Sequence, residues 1–154
     1  MSKLTRRDFI RSSMAVGAGL TMVGPASRVL GANNDIRLGV IGVGGQGGGH
    51  MNYFSKIPGV LLVAICDADR NQLDRRAAAF EKDTGVKLLT YTDMRELLDN
   101  KEIDVVTSAT PNHWHALTTV WACQAGKDIY IEKPASHGIW EGRKMVEAAR
   151  KYNR

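Results

Sequence analysis

A glycine-rich loop between two apolar runs is the feature that most constrains the fold of this chain. The loop reads Gly42-Val43-Gly44-Gly45-Gln46-Gly47 and directly follows the apolar run 36–41. A helical segment, 46–57, comes next, and a second apolar run, 60–66, follows it. A G-x-G-x-x-G spacing alone is a weak signal in a chain with 16 glycines, but a strand before it and a helix after it make it strong.

Three glycines of this loop each have a separate physical reason to be glycine. In a strand–loop–helix unit, Gly42 makes the tight turn, Gly44 lets the backbone approach a pyrophosphate, and Gly47 lets the helix pack closely on the strand. The unpaired N–H groups and the dipole at the start of the helix, where Gln46 lies, favour an anion. We therefore expect Gly42, Gly44, Gln46 and Gly47 to bind the phosphates of a dinucleotide.

An acidic residue follows the second strand at the place where a dinucleotide-binding fold needs one. Asp67 lies 20 residues after Gly47 and directly follows the second apolar run. A carboxylate there accepts hydrogen bonds from the adenosine ribose hydroxyls and repels a 2′-phosphate, so NAD is expected rather than NADP. Arg70 has two interpretations: it pairs with a phosphate, or it is a solvated residue at the start of a helix.

Apolar runs and helical segments alternate five times along residues 33–154, which predicts one domain of the α/β class. The strands are continuous apolar runs, so both faces of the sheet are covered, as in a doubly wound parallel sheet, the Rossmann fold. Right-handed crossovers give the strand order 3-2-1-4-5. The predicted strands are 36–41, 60–66, 87–90, 104–109 and 128–131, and the predicted helices are 46–57, 70–83, 93–99, 113–125 and 139–152.

Helical spacing and capping chemistry predict further details of these helices. Thr92 and Asp69 are candidates for helix N-caps, because their side-chain oxygens can accept from free N–H groups. The side chains expected to face the core share helical spacing: Leu73, Ala77, Phe80, Leu97, Leu98, Met145, Val146 and Ala149. Trp114, Trp121 and Trp140 are expected to be packing residues, and Trp140 is placed where a following domain would pack.

Two short segments follow the fourth and fifth strands, at the edge where open α/β sheets bind ligands. They read Thr110-Pro111-Asn112-His113-Trp114-His115 and Glu132-Lys133-Pro134. With the glycine loop and Asp67, in this order and spacing, they make residues 35–154 similar to the Gfo/Idh/MocA family of oxidoreductases. The paired T-P-N-x-x-H and E-K-P segments are far more specific than the glycine loop.

The resemblance implies roles for the residues that match the family's motifs. Thr110, Pro111 and Asn112 would line the nicotinamide end of the cofactor, with His115 near it. Glu132 and Lys133 would lie beside the nicotinamide ribose and the substrate. Lys133 would be the catalytic residue, holding or polarising the substrate hydroxyl as a hydride leaves its carbon. We also expect a cis peptide bond before Pro134, because a sharp turn must aim Lys133 inward.

The first 32 residues have the organisation of an export signal. Arg6-Arg7 precede Asp8-Phe9-Ile10, a weakly apolar run over 13–23 follows, and small residues end the segment. This order resembles a twin-arginine signal peptide. We expect 1–32 to be that signal and 33–154 to be the NAD(P)-binding domain, which the twin-arginine export machinery delivers folded to the periplasm or another extracytoplasmic location. The alternative is a short amphipathic helix that stays in place.

Charge and apolar content exclude two classes of partner. The net charge of +5 resides mainly in the leader, where five basic residues face Asp8 alone; the remainder has 16 basic and 15 acidic residues. No basic surface for nucleic acid is therefore expected. Because the longest apolar stretch falls short of the roughly 18 residues that a membrane span needs, no stable span is expected.

Histidines and cysteines outside these motifs are expected to be structural. His113 and His115 form an H-x-H pair, but without Cys, Asp or Glu nearby in the sequence to complete a site, no metal is expected. Cys66 and Cys123 are expected to be buried small hydrophobes. His50 is expected to lie at the surface or next to the cofactor rather than to be catalytic.

Members of the family that the chain resembles are about twice its length. Their second half supplies the substrate pocket, and usually the oligomer interface. We therefore expect this chain to be a fragment that lacks the sixth strand and the second domain, and that binds NAD without turning over substrate. A free-standing cofactor domain is the alternative.

The resemblance implies an oxidoreductase acting on a sugar, cyclitol or related polyol, with the full-length protein a homo-oligomer. One alternative is a glycosidase that oxidises and re-reduces its substrate on the same NAD; some relatives of that type lack the lysine, so Lys133 favours the dehydrogenase. Another alternative is a non-enzymatic nucleotide-binding module, which a loss of Lys133 or of the loop glycines would have favoured.

Overall fold

The computed structural model describes residues 35–154, which form one parallel five-stranded sheet with helices on both faces. The signal peptide predicted for 1–32 lies outside the described residues. The strands are β1 (Ile36–Ile41), β2 (Val60–Cys66), β3 (Leu89–Tyr91), β4 (Val105–Ser108) and β5 (Asp128–Ile131). Their order in the sheet is β3-β2-β1-β4-β5, and every neighbouring pair is parallel, so the predicted order 3-2-1-4-5 is confirmed.

Five α-helices connect and follow the strands. They are α1 (Gly45–Phe54), α2 (Arg70–Thr84), α3 (Met94–Asp99), α4 (His115–Gln124) and α5 (Ile139–Tyr152), and a 3₁₀ turn (Asn112–Trp114) precedes α4. The helix predicted for 113–125 begins at His115, two residues later than predicted, because residues 113 and 114 belong to this turn. None of the helices in 35–154 is long and apolar enough to cross a membrane.

Two apolar layers hold the helices against the sheet. Successive strand residues point to opposite faces, so Val40 and Ile65 pack with Leu73 on one side, and their neighbours pack on the other side. The first layer joins β1 and β2 to α1 and α2, and the second joins the sheet to α3 and α4. Cys66 and Cys123 are buried and free, as predicted.

The helix ends follow the capping chemistry of the sequence, with one correction. The Asp69 side chain accepts from the backbone N–H groups of Asn71 and Gln72, so it caps α2 as predicted. Asp93, not Thr92, caps α3: it has extended backbone angles and its side chain accepts from the N–H of Arg95. The prediction was one residue early because Thr and Asp are both good caps and stand side by side.

Some predicted core positions are wrong in the last helix. Met145 and Ala148 are buried, three residues apart on one face, while Val146 is 48% exposed and Ala149 is half-buried. Val146 lies about a quarter-turn away from that face, because successive helical residues are rotated by roughly 100°. Trp114 is exposed as well, whereas packing was predicted for it, and Trp140 is exposed at the position where a following domain was expected to pack.

Removing the Leu73 side chain tests whether α2 is held by the first apolar layer. Leu73 is fully buried, so Leu73→Ala should lower the free energy of unfolding by about 3 kcal/mol through lost burial and a residual cavity. The matched control is Leu89→Ala, because Leu89 is half exposed and should change it by less than about 1 kcal/mol. Urea unfolding measures both, and equal losses would contradict this packing.

Candidate functional site

The glycine loop brings the start of α1 into direct contact with the end of β1. Gly42 has φ +79°, in the left-handed region that favours glycine. A Cβ on Gly47 would lie 1.6 Å from the carbonyl oxygen of Gly42, so no other residue fits there without moving the backbone. The predicted tight turn and close helix–strand approach are both present in this geometry.

The N-terminus of α1 is left free to receive an anion. Its N-cap is Gly44, which has no side chain to accept the first N–H groups, and its first turn contains no acidic residue. In contrast, α2 is capped by the carboxylate of Asp69 and α3 by that of Asp93. Because free N–H groups and the helix dipole favour negative charge, the start of α1 can accept an anion, whereas carboxylates already occupy the starts of α2 and α3.

Asp67 fastens the glycine loop to the end of β2. Its Oδ2 accepts from the backbone N–H of Val43 at 2.9 Å, and its Oδ1 accepts from that of Asp69 at 2.9 Å. An ionised carboxylate has about four acceptor positions, so two hydrogen bonds leave room for ribose hydroxyls. The exposed side chain of Arg70 lies at the start of α2, as one of its two interpretations predicted.

Arg76 is a second fastening of the loop, and the sequence analysis missed it. Its Nε donates to the carbonyl of Val43 at 2.9 Å, and its Nη2 donates to that of Gly44 at 2.8 Å. Arg76 lies three residues after the buried Leu73, so the spacing puts it on the inner side of α2. The long Arg76 side chain reaches a loop that lies more than thirty residues earlier in the chain. A pattern of neighbouring residues does not reveal such a contact.

A cleft of about 590 Å³ opens at the carboxyl ends of β1, β2, β3 and β4. Five predicted site residues line it: Gly42, Gly44, Asp67, Thr110 and Pro111. The sequence analysis missed the other lining residues, which are Cys66, Ala68, Thr92, Asp93, Met94, Arg95, Ala109, Trp114 and Trp121. Thr92–Arg95 follow β3 directly, so the rule applied to the other strand ends would have found them.

Asp93 and Cys66 in this cleft have displaced pKa values. Hydrogen bonds from Arg95 lower the pKa of the Asp93 carboxyl to about 2, so Asp93 is a fixed negative charge on the cleft wall. Burial, followed by the charge of Asp67, raises the pKa of the Cys66 thiol to about 12, so this thiol stays neutral and unreactive.

Three other predicted residues, Gln46, Glu132 and Lys133, form a cluster with His50 that is separate from the cleft. His50 Nε2 lies 2.8 Å and Gln46 Nε2 lies 3.1 Å from Glu132 Oε1, and the Lys133 backbone N–H donates to Oε2 at 3.2 Å. His50 is buried, not on the surface as one expectation had it. Gln46, predicted to contact phosphate, here uses its amide to hold Glu132.

His115 holds the two loops together instead of facing the cleft. It is buried, with Nδ1 2.7 Å from the carbonyl oxygen of Pro134 and Nε2 2.8 Å from that of Thr110. Both neighbours are acceptors, so both contacts are hydrogen bonds only when both ring nitrogens carry a hydrogen. Asn112 begins the 3₁₀ turn. Lys133 is exposed, and the Lys133–Pro134 bond is cis, as predicted.

A second groove, of about 600 Å³, lies between α4 and α5 and is distinct from the cleft. Leu117, Val120 and Trp140 give it an apolar floor, and charged residues of α5 rim it. It contains none of the glycines or Asp67, so it lacks the features that hold a nucleotide. Among residues 35–154, no three His, Cys, Asp or Glu side chains are grouped to hold a metal ion.

Comparison with known proteins gives a family for the chain. The model of the Gfo/Idh/MocA oxidoreductase family, NAD-binding Rossmann fold, matches residues 36–154. The chain therefore belongs to this family, and its domain is an NAD-binding one. The uncapped start of α1 and the carboxylate that follows β2 are the features with which such domains bind a dinucleotide.

Similar proteins include a glycosidase and two dehydrogenases. An α-N-acetylgalactosaminidase of Shewanella oneidensis is 30% identical, over 97% of this chain and 38% of that protein. The myo-inositol 2-dehydrogenase structure from Lactobacillus plantarum is 31% identical, with a TM-score of 0.67 over 77% of this chain and 34% of that one. The WlbA dehydrogenase from Bordetella pertussis, solved with NADH and UDP-GlcNAcA, is 27% identical, with a TM-score of 0.68 over 77% and 35%.

A pair of glycine substitutions tests the contact on which the loop is built. Gly47→Ala forces a methyl group against the Gly42 carbonyl, and should lower the unfolding temperature by several degrees, equivalent to about 1–3 kcal/mol of overpacking. Gly45→Ala is the matched control, because its Cβ would meet nothing within 4 Å. Calorimetry of both variants measures the unfolding temperature. A Gly47→Ala variant with the wild-type unfolding temperature would contradict the close approach of α1 to β1.

Acid should loosen the cluster around Glu132. Three hydrogen bonds lower the pKa of Glu132 below its ordinary value of 4.5. The bond from His50 has the largest effect, followed by those from Gln46 and Lys133. A folded-state pKa below the unfolded one adds stability above the unfolded pKa, and this stability is lost as pH falls through the folded pKa. Wild-type stability should therefore decline more steeply than that of Glu132→Gln between about pH 5 and pH 3.

Urea unfolding of both proteins across this pH range measures the difference. Because the glutamine keeps an acceptor oxygen and does not titrate, the stability advantage of the wild type should shrink with acid. Parallel pH profiles for the two proteins would show that ionised Glu132 adds no stability through its three hydrogen bonds, which would contradict the prediction.

Proposed function

We propose that this chain is the cofactor half of an exported oxidoreductase that moves a hydride between NAD and a carbinol carbon of a sugar, cyclitol or related polyol. The observation that carries the proposal is the shared sheet edge. The cleft with Gly42, Gly44 and Asp67 and the turn with Lys133 both lie at the carboxyl ends of the strands.

The chain spans 38% of the length of the curated relatives it matches. The substrate pocket is therefore proposed to require residues outside this chain, as is assembly into a homo-oligomer. Within the chain, the proposed tasks are to bind the cofactor and to present Lys133 to a substrate.

NAD, when bound, supplies the nicotinamide ring that accepts or returns a hydride. The uncapped N–H groups of α1 hold the pyrophosphate, and Asp67 accepts from the adenosine ribose hydroxyls. Thr110 and Pro111 also line the cleft. The Lys133 amine then holds the substrate hydroxyl and takes part in moving its proton.

The preference for NAD over NADP is proposed on the charge at the end of β2. The Asp67 carboxylate would repel a 2′-phosphate. Arg95 in the same cleft could attract that phosphate, but its guanidinium is paired with Asp93, so the pair adds no net charge.

Glycoside hydrolysis on a retained NAD is the second candidate. Relatives matched over 97% of this chain include glycosyl hydrolase family 109 proteins, such as that of Shewanella sp. strain ANA-3 at 31% identity. Both activities require the same cofactor half, and each begins with removal of a hydride from a sugar carbon. They differ in whether free NAD is consumed.

Export through the twin-arginine route is proposed from the leader sequence alone. Arg6-Arg7 precede a weakly apolar run and small residues, and the route carries folded proteins. A domain that must collect NAD before it leaves the cytoplasm is suited to that route.

Replacing Asp67 tests the cofactor assignment. Asp67→Ala should weaken NAD⁺ binding about tenfold, because a charged acceptor of two hydroxyls is lost, while NADP⁺ binding should strengthen or stay unchanged. Calorimetric titration of the chain measures all four affinities, with Arg70→Ala as a control for a nearby solvated residue. Equal weakening for both nucleotides would contradict ribose recognition by Asp67.

Replacing Lys133 tests the catalytic assignment in the protein that contains this domain. Lys133→Met should lower turnover of polyols or glycosides by at least about a hundredfold, because a group that handles the substrate proton is removed, with NAD⁺ affinity preserved. Turnover of glycosides without added NAD⁺ would select the glycosidase, and reduction of added NAD⁺ would select the dehydrogenase. Full activity of Lys133→Met would exclude this lysine from both reactions.

A further inference from the structure

A buried histidine links the phosphate-binding helix to the turn that carries Lys133. His50 lies in the second turn of α1 and is 4% exposed. Its Nε2 is 2.8 Å from Glu132 Oε1, at the end of β5, and its Nδ1 is 2.8 Å from Thr107 Oγ1, in β4. One imidazole therefore joins α1 to two strands on the same side of the sheet.

The partners of the ring determine which nitrogen carries the hydrogen. The Glu132 carboxylate is held ionised by its lowered pKa, so it can only accept, and Nε2 must donate to it. The Thr107 hydroxyl can donate, so in the neutral ring Nδ1 accepts from it. This tautomer satisfies both nitrogens without a buried unpaired polar group.

Aromatic packing fixes the orientation of the ring. Phe54, one turn along α1, and Tyr130, two residues before Glu132, each contact the imidazole edge-on, with ring centroids 5.5 Å and 5.7 Å away. Phe54 and Tyr130 also contact each other edge-on at 5.8 Å. The three rings form one rigid group, so His50 Nε2 has a fixed direction toward Glu132.

Glu132 passes this restraint on to Lys133. Its Oε1 is taken by His50 and Gln46, both from α1, and its Oε2 accepts from the backbone N–H of Lys133. The carboxylate is thus bonded on one side to the helix that faces the phosphates and on the other to the peptide of the lysine. A change at either end alters the hydrogen bonds of the same group.

We propose that His50 is a positioning residue that holds Glu132, and through it the backbone of Lys133, in register with the phosphate-binding end of α1. Occupation of α1 by the cofactor pyrophosphate and placement of the lysine are then coupled. The catalytic meaning of this coupling rests on the proposed function, but the coupling itself is a property of the chain. The coupling can therefore be tested without measuring turnover.

Two amide substitutions separate the two hydrogen bonds of the ring. In His50→Gln the side-chain NH₂ can reach the position of Nε2 and donate to Glu132. In His50→Asn the amide reaches only the position of Nδ1, near Thr107. Both variants are uncharged and lose the aromatic contacts alike, so they differ in the bond to Glu132.

The measurements are the ¹H–¹⁵N signal of the Lys133 amide and the affinity for NAD⁺, on the ¹⁵N-labelled chain. His50→Asn should move the Lys133 signal and weaken NAD⁺ binding about tenfold, the effect of losing one hydrogen bond to a charged group. His50→Gln should keep the wild-type signal and bind within about threefold of wild type. The same Lys133 signal and affinity in both variants would overturn the proposal.

A measurement on the unaltered chain guards against variants that fail to fold. Long-range ¹H–¹⁵N spectra of the histidine rings should show the hydrogen of His50 on Nε2, and added NAD⁺ should shift the Lys133 amide. A hydrogen on His50 Nδ1 alone, or a Lys133 amide signal that does not shift at saturating NAD⁺, would refute the coupling between α1 and Lys133. Neither measurement depends on turnover. If Lys133 proved to have no catalytic role, the proposed function would be wrong, but the coupling between His50 and the Lys133 amide could still be measured.

Discussion

The close approach of α1 to β1 is the constraint on which the rest of the site depends. Because Gly47 has no Cβ, the first turn of α1 lies directly against the Gly42 carbonyl. This contact aims the helix start at the cleft and brings the second turn over β4 and β5. A larger residue at Gly47 would displace both the free N-terminus of α1 and its second turn, where His50 meets Glu132.

Opposite charges hold the loop without closing it. Asp67 accepts from an N–H of the loop, and Arg76 donates to two of its carbonyls, so a carboxylate and a guanidinium grip the same backbone from β2 and α2. Neither caps the N–H groups of α1. The loop is therefore rigid before any ligand arrives, and the anion-binding groups remain available, which lowers the ordering cost of binding.

Local patterns in the sequence predicted the sheet, its order and the glycine loop, because apolar runs and G-x-G-x-x-G depend on neighbours along the chain. Asp67 was predicted because it ends a recognisable strand. Arg76 and His50 were not assigned their contacts, because their partners lie 32–33 and 57–82 residues away. His115 was expected near the cofactor from family resemblance, but its ring bonds two backbone carbonyls that no side-chain pattern encodes.

The central claim is that the free N-terminus of α1 and Asp67 together form the NAD site. Following backbone amide signals of the ¹⁵N-labelled chain during titration with NAD⁺ tests it most directly. We predict saturable shifts for the amides of Gly44, Gly45, Gln46 and Asp67, at the start of α1 and the end of β2. Saturable shifts confined to the groove between α4 and α5, or none in a folded sample, would contradict it.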